Sequence, residues 1–250
     1  MIRLGIASES AADARAVTAL ADRVLVESVP WIERAEVDHY RRWTGIDEES
    51  WLDLHAARDR ARARGLRVYG HFQGEPGALD ARMFRCVFLV FANETPPAGE
   101  SGVEVVVVTR DLDGRGERAI GLRQARDEST WPFRVVCGLA DPEFEAWSVV
   151  AAAPLGAEEE AAHVAARERL GFDPIAHPEK LTSRRETDPR DAKRVLAELC
   201  ATGRAAEQRW AEAPISGLRS RGASCGLTSF LDEVKESLVP MFDPRTPRPR

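Results

Sequence analysis

Val103-Glu-Val-Val-Val-Val-Thr-Arg-Asp-Leu-Asp-Gly114 decides how the chain folds. It begins as a run of β-branched apolar residues, the pattern of a strand buried on both faces. It ends where Asp111 and Asp113 flank Leu112 and Gly114 breaks the strand. In open α/β sheets, ligands collect beyond the carboxyl ends of the strands. An Asp-x-Asp at that place suits a divalent cation or a phosphoryl group, because carboxylate oxygens are hard ligands. On these residues alone a second reading stands beside it: a polar turn in which Asp caps the next helix.

Working outward, Ile2 to Ala7 predicts a short apolar strand, and Ser10 an N-cap for a helix from Ala11 to about Val26. Glu9 sits between them, as a candidate ligand or as a charge favoured by the helix dipole. Pro30 to Gly65 reads as helical and rich in charge and tryptophan, and Leu66 to Phe72 as a second strand. Gly74 to Gly77 reads as a turn. Ala78 to Phe91 reads as a packed helix, although its Cys86-Val-Phe-Leu-Val-Phe91 run also suits a strand.

After Asp113, Gly116 to Glu128 predicts a helix and Phe133 to Leu139 another buried strand. Pro142 then fits the first position of a helix, with Glu143 and Glu145 in its first turn. From Ala157 on, the pattern is helical: Glu158–Leu170, Pro189 to about Thr202, a short piece after Gly203, and an amphipathic Ser229–Leu238. The expected architecture is therefore α/β, a mostly parallel, Rossmann-like sheet flanked by helices, with an α-helical C-terminal extension. Residues 1–155 form the α/β domain with a helical insert at 30–65. Residues 156–242 form the extension, and 243–250 a disordered Pro/Arg-rich tail.

With 250 residues, 44% hydrophobic and 30% charged, the chain can bury a real core. A net charge of −6 excludes an all-over nucleic-acid coat, so any nucleic-acid contact must use a local patch or metal-bridged phosphates. Only Lys180, Lys193 and Lys235 of the 35 basic residues are lysines. The four cysteines are scattered without a Cys-x-x-Cys pair, which fits a reducing cytoplasm better than a zinc or disulfide framework. The N-terminal residues read as strand and not as a signal peptide, and no apolar run suggests a membrane span.

Three strand ends thus lead into acids: Glu9, then Asp111 and Asp113, then Asp141, Glu143 and Glu145. Carboxylates gathered within a few ångströms cannot all stay ionised without a counter-charge. Mg²⁺ is the natural one, since it takes few protein carboxylates and bridges to substrate phosphates.

A Glu after the first strand and a distant strand ending in Asp-x-Asp resemble the Toprim (topoisomerase–primase) domain. More closely, the chain resembles a Toprim-like family of unknown function related to the overcoming-lysogenisation-defect nucleases. The matching positions are Ser8-Glu9 with Asp13, Asp111-Leu-Asp-Gly114, Pro142-Glu-Phe-Glu-Ala-Trp147, Pro178-Glu-Lys180, Pro189 to Lys193, and Ser229-Phe-Leu231. Glu9 is followed by Ser10 where that family usually has Gly, and 30–65 has no counterpart in it.

The resemblance implies phosphodiester cleavage in DNA or RNA with Mg²⁺ or Mn²⁺. It implies that Glu9, Asp111 and Asp113 hold a first metal and that Glu143 or Glu145 completes a second site. Lys193, or failing it Lys180, would neutralise the transition-state phosphate. It also implies work in bacterial anti-phage defence beside a partner ATPase. The expected location is cytoplasmic, and a homo-oligomer is a further expectation. Two rivals stand. One is a haloacid-dehalogenase-like phosphatase with Asp111 as nucleophile, disfavoured by Arg115 after Gly114. The other is a non-catalytic scaffold or sensor subunit.

Overall fold

The computed structural model describes residues 1–69, 76–182, 185, 187–200 and 206–242. Its strands are β1 (Ile2–Ser8), β2 (Arg41–Thr44), β3 (Leu52–Asp53), β4 (Val105–Asp111) and β5 (Arg134–Ala140). They make one five-stranded sheet in the order β2-β1-β4-β5, with β3 also paired to β1. β1 runs parallel to β2, β3 and β4. The Arg134 N–H donates to the Glu104 carbonyl where β4 and β5 begin, and the Leu112 N–H donates to the Ala140 carbonyl where they end. The two strands therefore run the same way as well. The chain is α/β with a mostly parallel sheet flanked by helices. All seven residues of β1 and the whole Val105–Thr109 run are buried, as strands covered on both faces require.

The helices are α1 (Ala11–Ser28), α2 (Val37–Tyr40), α3 (Ala57–Ala63), α4 (Ala78–Ala92), α5 (Gly116–Asp127), α6 (Phe144–Ala151), α7 (Ala157–Leu170), α8 (Ala192–Leu199), α9 (Ala206–Glu212), α10 (Ile215–Arg221) and α11 (Leu227–Ser237). Ser10 caps α1, its Oγ accepting the Asp13 N–H at 3.1 Å. The open reading of Cys86–Phe91 resolves as helix: Phe84, Phe88 and Phe91 lie at i, i+4 and i+7 and are all buried. Gly77 has φ +77°, and a Cβ on it would collide with backbone of α5 at Glu117 and Gly121, so α4 and α5 meet almost backbone to backbone.

The expected helix over Pro30–Gly65 is corrected. It contains β2 and β3 between short helices. Its charges misled because one of them, Arg41, is buried. Arg41 donates from Nε and Nη2 to the two oxygens of Asp22 on α1, at 2.7 and 2.5 Å. Trp43 Nε1 adds a third bond to Asp22, at 2.9 Å. Arg41 and Trp43 are two apart, so they share one face of a strand, a period-2 pattern hidden by charged residues. The expected second strand at 66–72 is absent from Leu66 to Tyr69, which is irregular. Its remainder, residues 74 and 75 of the expected turn, the segment 201–205 and the tail 243–250 lie outside the described residues.

The chain divides into two compact units. The first comprises Met1–Thr109, Arg115–Cys137 and the segment from Glu233, and the second comprises Arg110–Gly114 and Gly138–Asp232. A boundary at 155 would cut through the second unit. That unit is built on α6, α7 and α8, around Val149, Ala152, Ala166, Leu170, Ile175, Val195 and Leu199. Among its described residues after Ala157, the one strand-like contact is a bridge between Thr182 and Asp191. No helix among the described residues is long and apolar enough to cross a membrane.

Candidate metal centre

At the end of β4 the chain turns on two left-handed residues, Asp113 at φ 51° and Gly114 at φ 66°. Asp is among the few non-glycine residues that tolerate this region, so the Asp-Gly pair closes the turn. The Asp113 N–H donates to the Pro142 carbonyl at 2.7 Å, which holds the exit of β4 against the exit of β5. After Pro142, Glu143 takes an extended conformation as the N-cap of α6, but its side chain makes no capping bond. Asp111 does that work from the other segment: its Oδ1 accepts the Phe144 N–H at 2.9 Å.

The result is a carboxylate cluster. One oxygen each of Asp111, Glu143 and Glu145 lies within 4.8 Å of the others. Glu143 is 4% exposed, and its Oε1 is buried with no hydrogen-bond partner. Burial first, then the negative charges of Glu145, Asp111 and Asp191, push its carboxyl up to about 8, against a pull in the other direction from Lys193. A buried carboxyl oxygen without a donor is costly unless a cation completes its surroundings. The donor set fits a hard divalent ion: three oxygen ligands on two rigid segments, one of them otherwise orphaned.

Lys193 is the neighbouring cation. Its Nζ is 3.7 Å from Glu145 Oε1, and its side chain is 61% exposed. Glu145 above all, with Glu143, Asp111 and Asp191 behind it, holds the ammonium above its ordinary range. Asp191 sets its position: it is 3% exposed and caps α8 by accepting the Arg194 N–H at 2.8 Å, which places Lys193 in the first turn. In the sequence Asp191 is readable as a cap, and its electrostatic part in the cluster is not.

Behind the cluster, α6 is braced by aromatic packing. Trp147 is fully buried, donates Nε1 to the Cys225 carbonyl at 2.7 Å, and stacks on Phe230 with ring centres 5.4 Å apart. The Asp141 N–H donates to the same Cys225 carbonyl at 3.1 Å. Gly226 follows at φ +88°, where a Cβ would collide with the Leu139 carbonyl oxygen. The Ser229-Phe-Leu231 segment therefore supports the site without entering it.

Of the residues expected here, Asp111, Glu143, Glu145 and Lys193 come together. Asp113 serves the turn through its backbone, and its carboxylate is outside the cluster. Glu9 belongs to the first unit, beside His55, whose Nε2 is 3.8 Å from Glu9 Oε1, and is not among the three clustered carboxylates. Lys180 lies over the ring of Phe172, 5.5 Å from its centre. Comparison of the chain with protein-family models, with curated proteins and with solved structures finds no match.

Proposed function

We propose that the chain is a Mg²⁺- or Mn²⁺-dependent phosphodiesterase of Toprim type that cleaves DNA or RNA, in anti-phage defence beside a partner ATPase. The observation that carries the metal-dependent part is the unpartnered, buried Oε1 of Glu143 within a cluster of three carboxylates. The Toprim assignment and the ATPase partner are supported by the resemblance of the acidic motifs after β4 and β5. Asp111, Glu143 and Glu145 hold the ion. A bound divalent cation supplies Lewis-acid stabilisation of charge on a phosphoryl oxygen. Lys193 adds a fixed positive charge beside it, and Asp191 holds that lysine in place through α8. Glu143 keeps its proton near neutrality and gives it up as the ion binds.

The test incubates wild type and Asp111→Ala with DNA and with RNA, with Mg²⁺ or Mn²⁺, alone and with any ATPase encoded beside it. Wild type should cleave, and the variant should be slower by about a hundredfold or more. Cleavage by neither, or equally by both, rejects the proposal. A second reading has its own observation: because Asp111 caps α6, an ion here can serve structure alone in a scaffold subunit. In that case metal raises the melting temperature and nothing is cleaved.

A further inference from the structure

Two segments of the second unit pack on α6: the Pro178–Lys180 turn and α10. From α10, Arg221 Nε also donates to the Val150 carbonyl at 3.3 Å. A side-chain bond joins the two flanking segments. Ser224, just past α10, donates its hydroxyl to Glu179 Oε2 at 2.6 Å. The other oxygen of Glu179 lies 3.3 Å from His177 Nδ1. Partial burial pushes the Glu179 carboxyl up, but Ser224, its own backbone N–H and His177 together hold it below its ordinary range. Glu179 is therefore ionised at neutral pH. A hydroxyl given to a carboxylate at this length is a charge-assisted bond, roughly twice as strong as a neutral one.

The next residue after Ser224 connects this bond to the cluster. Cys225 presents the carbonyl that takes the Asp141 N–H at 3.1 Å and Trp147 Nε1 at 2.7 Å. Asp141 leads through Pro142 into Glu143, and Trp147 stands two residues past Glu145 on α6. One carbonyl thus holds the chain on both sides of two of the three clustered acids. Neither Glu179 nor Ser224 is in the cluster, and Glu179 is not among the charges that act most strongly on Glu143. Ser224 is exposed and the Glu179 side chain is 29% exposed, so the pair adds little to the core.

We propose that Glu179 is a positioning residue of the metal centre. Through the Ser224 hydroxyl it fixes the Cys225 carbonyl, and through that carbonyl it holds Glu143 and Glu145 at the spacing an ion requires. Mg²⁺ demands near-ideal ligand geometry, and the outer hydrogen bonds that orient a ligand set govern affinity by about ten- to a hundredfold. The inference rests on the metal-binding part of the proposed function and not on cleavage of nucleic acid.

Calorimetric titration of Mn²⁺ into the metal-free protein tests this, with melting curves to establish that each variant is folded. Ser224→Ala removes the bond without changing a charge and should weaken Mn²⁺ binding about tenfold. Glu179→Ala should lose the same factor, and Glu179→Ala/Ser224→Ala no more than either alone, because all three break one bond. Ser224→Thr keeps the hydroxyl and should bind Mn²⁺ like wild type. A folded Ser224→Ala that binds like wild type overturns the positioning role and leaves the metal centre standing. So does a loss in Glu179→Ala that Ser224→Ala does not share, which would be an effect of charge, and so do losses that multiply in the double variant. If wild type takes up no Mn²⁺, the metal-binding reading falls and the positioning role falls with it.

Discussion

Phe144 gives its backbone N–H to Oδ1 of Asp111 across thirty-three residues, at 2.9 Å. The helix that carries Glu143 and Glu145 is thus capped by the third carboxylate of their own cluster. Asp111→Asn keeps an acceptor and should cost little stability, whereas Asp111→Ala removes the cap and should cost about 1 kcal/mol. Both should abolish the rise in melting temperature that Mn²⁺ produces in wild type. A full Mn²⁺ shift in Asp111→Asn would count against the cluster as a metal site.

Glu143 makes the metal-free protein sensitive to pH. Its carboxyl sits at about 8 in the folded state against an ordinary 4.5, so the native form holds a proton that the unfolded form has released. Stability is therefore full below about 4.5 and falls as pH rises toward 8, by on the order of 5 kcal/mol in all. Urea titrations in EDTA from pH 5 to 9 should show this slope in wild type and lose it in Glu143→Gln. Metal binding should strengthen over the same range and release a proton.

Lys193 is exposed, and its pair with Glu145 is long, so Lys193→Ala should change stability by less than about 1 kcal/mol. Its effect should fall on turnover. A drop in kcat on the order of a hundredfold, with unchanged Mn²⁺ affinity, is the pattern expected of transition-state charge stabilisation. Loss of metal binding instead would assign it to assembly of the site.

Elsewhere in the same unit, Arg209 and Glu159 form an almost fully enclosed ion pair, 1% and 8% exposed, at 2.5 Å. Glu159 also accepts the Leu155 N–H, and Arg209 donates to the Ala153 carbonyl. Glu159→Ala strands the guanidinium and should cost about 3–5 kcal/mol. Equilibrium unfolding checks this. Removing both partners for apolar residues should restore much of the loss.

Gly226→Ala forces a side chain into a left-handed position against the Leu139 carbonyl. A loss of about 2 kcal/mol or more is expected, read as a lower melting temperature with a red-shifted Trp147 emission.

What the sequence discloses depends on where each residue's partners are. The strand ending at Asp111 is legible because its signals are local, a β-branched run and an Asp-Gly turn, whereas the helix expected to start at Pro142 starts at Phe144, with Glu143 extended as its N-cap. So the Asp111, Glu143 and Glu145 assignments come from residues next to strand ends. β2 is not legible, because Arg41 and Trp43 read as surface polarity until Asp22 is known to lie opposite them. The α8 start is legible from Asp191, but not that its charge reaches Glu143. Asp113 looks equal to Asp111 in the motif. Only the backbone turn, with φ 51°, separates their roles.

The carbonyl of Cys225 receives both the Asp141 N–H and the indole of Trp147, some eighty positions earlier. A chain still being synthesised that has just exposed Lys193 therefore carries every charge of the cluster but lacks the acceptor that fixes β5 and α6. Contacts of such sequence separation close late. A nascent chain, or one terminated before Cys225, would hold its acids loosely, and full geometry would arrive only once that residue has joined.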